Sequence, residues 1–251
     1  MVYESPPHAA LESSSTAPCD QPRFRGVLLD WRGTLVVGPT HTWLIRTALL
    51  RLGRDSSDAS VASVDRRLNA VDHGDADSSS VDTDPELHRA AYLSWFFRAG
   101  IDDTLARELY AVESEPSLNP FAHDVGPLLA ALHAANVRIG LVSDIHVDLR
   151  PYFAAQPVGV DRNFADLIDV WVLSFEVGVA KPDPAIFAIA LELIGLSAPE
   201  VLMVGDRGTH DGAAIEAGIA TLLLPPLQAA TDQRLQRVLD LVVPGVTLSQ
   251  G

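Results

Sequence analysis

Two kinds of apolar stretch alternate along the chain. The first is short and apolar on both faces: FRGVLLD (24–30), VRIGLVS (137–143), DVWVLSF (169–175), EVLMVGD (200–206) and IATLLLP (219–225). Leu-rich or β-branched runs of this length, with no polar face, predict strands buried on both sides, as in a parallel sheet. The second kind repeats its apolar residues every three or four positions. DVGPLLAALHAAN (124–136), DPAIFAIALELIG (183–195) and GAAIEAGI (212–219) are of this type and predict helices between the strands. Such alternation implies an α/β domain with right-handed crossovers and helices on both faces of the sheet. In sheets of this kind ligands bind at the carboxyl ends of the strands.

Residues 37–121 break the rhythm. They contain helical stretches, HTWLIRTALLRLG, ELHRAAYLSWFFRAG and DTLARELYAVE, and a polar connector, DHGDADSSSVDTDPE (72–86). An all-helical insert after the first strand is the economical reading, with the remainder at 23–36 and 122–251 as the core. Trp43, Trp95, Phe96 and Phe97 are expected in the insert's own core rather than against a ligand. The connector reads as a solvated loop; its Asp run lacks the glycine and closing glutamate of an EF-hand loop. Residues 1–22, rich in Ser and Pro, read as a disordered or loosely attached tail. No internal repeat is present.

Composition narrows the function. With 251 residues, 47% hydrophobic and 20% charged, the chain can bury a sizeable core. A formal net charge of −15 argues against nucleic acid and anionic membrane surfaces as partners; a small-molecule substrate is expected because a helical insert over the strand ends would shield the site from bulky ligands. No apolar stretch approaches the roughly 20 residues of a membrane span. The N-terminus lacks the basic start and apolar middle of a signal peptide. Cys19 is the only cysteine, so no internal disulfide can form and a cytoplasmic location is expected. Nothing in the pattern fixes an oligomeric state. Of 18 Lys plus Arg, Lys181 is the single lysine, so any mechanism needing two is excluded.

The predicted strand ends carry unusual residues. Asp30 ends the first, before RGTL; Ser143 and Asp144 end the second; Lys181 follows the third, in AKPDPAIF; Asp206 and Asp211 follow the fourth, in VGDRGTHDGAAIEAG. Taken singly, Ser143 and Asp211 read equally as helix caps, and Lys181 as a surface lysine. Taken together, a parallel sheet brings them to one rim, where acids, a hydroxyl and the sole lysine converge.

In this order and spacing the residues from about 24 to 225 resemble the haloacid dehalogenase superfamily of hydrolases and phosphotransferases. Its motifs are Asp-x-Asp-x-Thr, a Ser or Thr, a Lys often followed by Pro, and Gly-Asp-x-x-x-x-Asp. The resemblance implies a Rossmann-like core with a helical cap at 37–121. It also implies roles. Asp30 would be the nucleophile, forming an aspartyl-phosphate that water hydrolyses. Mg²⁺ would be held by Asp30, the main-chain carbonyl of Arg32, Asp206 and Asp211, hard oxygen ligands suited to that ion. Ser143 and Lys181 would bind the phosphoryl oxygens, with Gly33, Thr34 and Asp144 completing the substrate-binding set. Lys181 would also keep Asp30 ionised. Two unit charges about 4 Å apart interact by roughly 4 kcal/mol at an effective dielectric near 20, so clustered carboxylates need a cation.

Arg32 departs from the pattern. It stands where the family's phosphatases carry the acid that protonates the leaving group. A guanidinium, with a pKa above about 12, cannot shuttle protons at neutral pH, and the help lost is about 10²- to 10⁴-fold. Two branches also lack this acid. Phosphonoacetaldehyde hydrolases share a similar Asp-Trp-Ala-Gly-Thr but need a second lysine. The 2-haloacid dehalogenases work without metal and replace the fourth motif's acids, which Asp206 and Asp211 retain here. Three readings remain: a metal-dependent phosphohydrolase in which Asp144, His146 or His210 replaces the lost acid; one in which Arg32 pairs with Asp144 or the substrate phosphate; and a catalytically silent binding module.

Overall fold

A computed structural model describes residues 22–248; the expected tail, with Cys19, lies outside the described residues save for Pro22. β1 (Gly26–Leu29) is followed by four helices, α1 (His41–Arg51), α2 (Asp58–Asn69), α3 (Pro85–Arg98) and α4 (Asp103–Glu113). Then come α5 (Val125–Ala134), β2 (Arg138–Ser143), α6 (Arg150–Ala154) and a minimal hairpin of β3 (Pro157–Val158) and β4 (Arg162–Asn163). The chain closes with β5 (Val170–Leu173), α7 (Ser174–Val177), α8 (Pro184–Ile194), β6 (Val201–Gly205), β7 (Ala220–Leu223) and α9 (Gln236–Val242).

The five long strands form a parallel sheet in the order β5-β2-β1-β6-β7. β1 is central because all four of its residues are buried and their side chains alternate between two apolar layers. Val27 and Leu29 join Leu141, Val204, Leu128 and Leu239 on one face, while Leu28 joins Val142, Val172, Met203 and Phe187 on the other. Full burial of one such side chain is worth roughly 1.5–3 kcal/mol, so the α/β sandwich is fixed by these two layers. Register then aligns the strand ends: Leu29 lies opposite Leu141 and Val204, and Ser143 opposite Leu173. Asp30 and Asp206, each one residue past its strand, therefore emerge at the same rim as Ser143.

The inserted helices start where side chains accept their first free N–H groups. Thr40 accepts from Trp43, Ser57 from Ser60, Asp84 from Glu86 and Leu87, and Asp102 from Leu105. Pro85, in the first turn of α3, has no N–H to leave unpaired. These helices bury Ile45, Leu49, Val61, Leu68, Trp95, Phe96 and Leu109 in an apolar cluster of their own.

Four expectations are corrected. Helix α2 had no counterpart in the sequence reading, because its buried stripe is only Val61, Val64 and Leu68. Trp43 and Phe97 are 40% and 46% exposed, on the outer faces of α1 and α3, while Trp95 and Phe96 are in the core as expected. The third predicted strand stops at Leu173, since the Ser174 hydroxyl accepts from Ile145 N (2.8 Å) and turns the chain into α7. The stretch expected as a helix at 212–219 is a 3₁₀ run, Asp211–Ala217, ended by Gly218 in the left-handed region (φ 78°).

The polar connector differs most. It is two 3₁₀ turns, Gly74–Asp77 and Ser79–Thr83, rather than a free loop. Val81 is buried, and the Asp82 carbonyl accepts the Ser174 hydroxyl (2.7 Å). The insert is thereby tied to the rim of the sheet.

Candidate active site

Asp30 is buried at the centre of that rim, its N–H donated to Val204 O (2.9 Å). The turn after it is tight: the N–H groups of Thr34, Leu35 and Val36 converge on Trp31 O at 3.2, 2.8 and 3.1 Å. Gly33 has φ 80°, and a Cβ there would lie 2.4 Å from an Asp206 carboxylate oxygen. Only glycine lets the turn lie so close to that acid. The Thr34 hydroxyl donates to Asp30 Oδ2 (3.1 Å) and approaches Asp206 Oδ1 (3.4 Å). Arg234, near the C-terminus, donates to Thr34 O (2.7 Å) and Gly33 O (3.3 Å) and braces the turn from below.

Lys181 spends all three donors in the interior: on Asp30 Oδ1 (2.6 Å), Asp211 Oδ1 (2.6 Å) and Val142 O (3.2 Å). Asp211 is fully buried, and its other oxygen accepts from Asp206 N (3.1 Å) and Arg207 N (2.9 Å). Burial pulls Lys181 down, but Asp30, Asp144 and Asp211 outweigh it and hold the ammonium above its ordinary pKa. The lysine does not suffice for Asp30. Burial, aided by Asp211 and Asp206, overcomes the pull of Lys181 and pushes Asp30 up to about 7. Asp206, half-buried beside Asp211, is also raised by burial and then by that neighbour.

The three acids offer oxygens all within 4.8 Å of one another. Three carboxylates share one ammonium, so the donor set carries surplus negative charge on hard oxygens. That fits a divalent cation of the Mg²⁺ type, held by Asp30, Asp206 and Asp211.

Ser143 is buried at the end of β2, and Asp144 beside it accepts the Lys181 backbone N–H (2.7 Å). With Asp30 and Lys181 they line a cavity of about 310 Å³, which is also lined by Ala76, Ser78, Asp82, His88, Tyr92 and Glu113 of the insert.

Arg32 borders this cavity, but its guanidinium does not pair with Asp144. It donates to Glu113 Oε1 (2.7 Å), the Glu113 carbonyl (2.8 Å) and Asn119 Oδ1 (3.2 Å). Burial raises Glu113, yet Arg32, with His146 and His88, outweighs it and holds the carboxyl below its ordinary value. Arg32 is thus a fastener between the turn after β1 and α4. Arg32→Asp is expected to destabilise the fold by about 3 kcal/mol, because it leaves a nearly buried Glu113 (8% side-chain exposure) facing a second carboxylate. Thermal melting checks this; an unchanged melting temperature would show that the position accepts an acid.

The other proposed replacement donors are committed elsewhere. His210 Nε2 pairs with Arg207 Nη2 (2.9 Å) and its Nδ1 with Thr209 Oγ1 (3.0 Å). His146 Nε2 meets Ser114 Oγ (2.9 Å), and its ring stacks on His88 at 3.4 Å between centroids. Sequence reasoning missed Glu113, His88 and Asp82 altogether. The first two sit inside ordinary helical patterns, and Asp82 lay in what read as a solvated loop, so no local signal marked them.

Comparison with known proteins adds three findings. Residues 24–218 match the family model described as haloacid dehalogenase-like hydrolase. A pyrimidine 5'-nucleotidase, YjjG of Escherichia coli (strain K12), is 33% identical over 145 residues, covering 57% of this chain; the match spans 61% of that relative's length. Among solved structures, a 2-haloacid dehalogenase from Pseudomonas syringae pv. Tomato DC3000 is 21% identical over 80% of this chain and 86% of its own, with a TM-score of 0.53. A magnesium complex of an enzyme from Bacteroides thetaiotaomicron is 17% identical over 82% of this chain and 96% of its own, with a TM-score of 0.59. These two likenesses concern the fold.

Proposed function

The chain belongs to the haloacid dehalogenase-like hydrolases, and from that premise we propose that it is a Mg²⁺-dependent phosphohydrolase of small phosphorylated metabolites. Residues 37–121 serve as its cap, and its site of action is the cytoplasm. The observation that carries the reading is the Lys181 bridge, 2.6 Å from both Asp30 and Asp211. It holds a buried nucleophile among acids that a silent binding module would have no use for.

In this reading Asp30 attacks phosphorus, and Lys181 and Ser143 bind the non-bridging oxygens, neutralising the charge that phosphoryl transfer spreads over them. Thr34 orients the Asp30 oxygen that it hydrogen-bonds. Mg²⁺, held by Asp30, Asp206 and Asp211 with the main-chain carbonyl of Arg32, would add Lewis-acid neutralisation of the same oxygens. The insert side chains that close the cavity exclude water and bulky substrates. The Bacteroides neighbour is described in complex with magnesium and inorganic phosphate, and the Escherichia coli relative as a nucleotidase; both are consistent with phosphate chemistry.

The test is phosphate release from a panel of small aryl and alkyl phosphates with Mg²⁺ and after EDTA. Turnover that EDTA removes and Mg²⁺ restores is expected. Chloride release from 2-chloropropionate with no phosphate release would instead make the chain a dehalogenase. No turnover of either kind, with no metal-induced shift in melting temperature, would favour the binding module.

A further inference from the structure

With Arg32 fastened to Glu113 and Asn119, hydrolysis of an alkyl phosphate needs a proton donor from another part of the cavity. In-line displacement says where to look. The leaving oxygen departs on the side of phosphorus away from Asp30, so the donor must come from another part of the lining, and the insert supplies one wall of the cavity that Asp30 shares. On that wall His88 is 2% exposed, with Nδ1 at 3.3 Å from the Tyr110 hydroxyl; His146, packed on it from the sheet rim, is 3% exposed and bonded to Ser114. Burial holds both imidazoles neutral, at about 3 and about 4. Asp82 is different. Its side chain is 27% exposed and lines the cavity, and its Oδ1 lies 3.6 Å from His88 Nε2 and 3.9 Å from His146 Nδ1, too far for a hydrogen bond to either. Its backbone is pinned, because Ser174 Oγ donates to the Asp82 carbonyl (2.7 Å) and accepts from Ile145 N (2.8 Å). The acid of the insert is thereby anchored next to Ser143 and Asp144.

We infer that Asp82 is the general acid and base of this site, a carboxyl delivered across the cavity by the insert in place of the acid missing at position 32. The inference rests on the phosphohydrolase reading above. In the first step an Asp30 oxygen forms the new bond to phosphorus and the bond to the ester oxygen breaks. The Asp82 carboxyl proton passes to that oxygen, so the product leaves as an alcohol. In the second step Asp82, now a carboxylate, takes a proton from the water that attacks phosphorus. The bond to Asp30 breaks, phosphate leaves, and both acids return to their starting states.

The surroundings suit that cycle. Burial, then Asp144 and Glu113, push Asp82 up to about 7 against the opposing pull of Arg32 and Arg207, so it holds a proton near neutrality. The two histidines that face it add no positive charge. A metal ion shared by Asp82, His88 and His146 is disfavoured by shape: the rings are stacked at 3.4 Å with only 12° between their planes, so one ion cannot lie near the plane of both at ligand distance.

The experiment compares an alkyl phosphate, glycerol 3-phosphate, with an aryl phosphate, p-nitrophenyl phosphate, whose leaving group departs unprotonated. Asp82→Asn is expected to lower the first-turnover rate of the alkyl ester about 10²- to 10⁴-fold and that of the aryl ester, read as the burst of p-nitrophenol, less than about tenfold, while steady-state turnover of both falls because water attack in the second step uses the same carboxylate. The wild-type alkyl profile should fall as pH rises through the Asp82 titration, and the variant should lose that limb. Melting at pH 8 controls for folding: the wild-type protein buries an ionised carboxylate there, so the variant should melt no lower. Asp82→Glu, which keeps the proton, should recover part of the alkyl rate. Equal losses on both esters in the first turnover, a wild type that hydrolyses only the aryl ester, or an unchanged alkyl profile would each overturn the assignment. Activity of Asp30→Asn on both esters would overturn the phosphohydrolase reading instead.

Discussion

Asp30→Asn is expected to reduce phosphate release from every ester by at least about 10³-fold, since an amide cannot serve as the nucleophile, while the melting temperature stays within a few degrees of wild type. The two halves of this result have one cause. Asp30 is a buried acid whose desolvation exceeds what its lysine returns, which is why it sits near 7. Removing its charge costs one short contact with Lys181 but relieves repulsion from Asp211 and Asp206, and Lys181 keeps its 2.6 Å bond to Asp211. A carboxylate retained at a net electrostatic loss is one that chemistry requires. Initial rates on the ester panel, alongside melting curves, check both halves. Residual turnover above a few per cent would place the nucleophile elsewhere; a large drop in melting temperature would mean that Asp30 is chiefly structural.

The parts of this site that were legible in the sequence are those fixed by strand ends. A doubly buried strand announces itself by an unbroken apolar run, and whatever follows it must emerge at the rim. Asp30, Ser143 and Asp206 were therefore placed by topology, and Lys181 by its position after the third predicted strand. The direction of Arg32 was not legible, because its partner Glu113 is separated from it by 81 residues and lies in the insert. Asp82 was hidden for a related reason. Its polar neighbours at 72–86 promise a solvated loop, and only the Ser174 hydroxyl, 92 residues away, turns that loop into a wall of the cavity. Side chains that meet across two separately folded apolar clusters leave no periodic trace in either.

Lys181→Met should have the largest effect on the fold itself. The substitution keeps most of the length and removes the charge, leaving Asp30 and Asp211 buried without their shared cation. Breaking one buried pair typically costs about 3–5 kcal/mol, and a chain of this size loses roughly 2–4 °C per kcal/mol, so a fall of about 6–20 °C is expected. The lysine's contribution is complete at neutral pH. Its pKa is raised in the folded state, so the stabilisation is present below the unfolded pKa and fades only as pH climbs through the folded one, far into the alkaline range. Turnover should vanish with it. Adding Asp211→Asn to Lys181→Met should then raise the melting temperature above that of the single variant, because one of the stranded charges is gone. Mg²⁺ should likewise raise it by more than it raises wild type, as a ligand bound only by the folded state stabilises in proportion to its affinity. If Lys181→Met melts like wild type, the ammonium is not what reconciles these carboxylates, and the electrostatic basis of the proposed enzyme is lost.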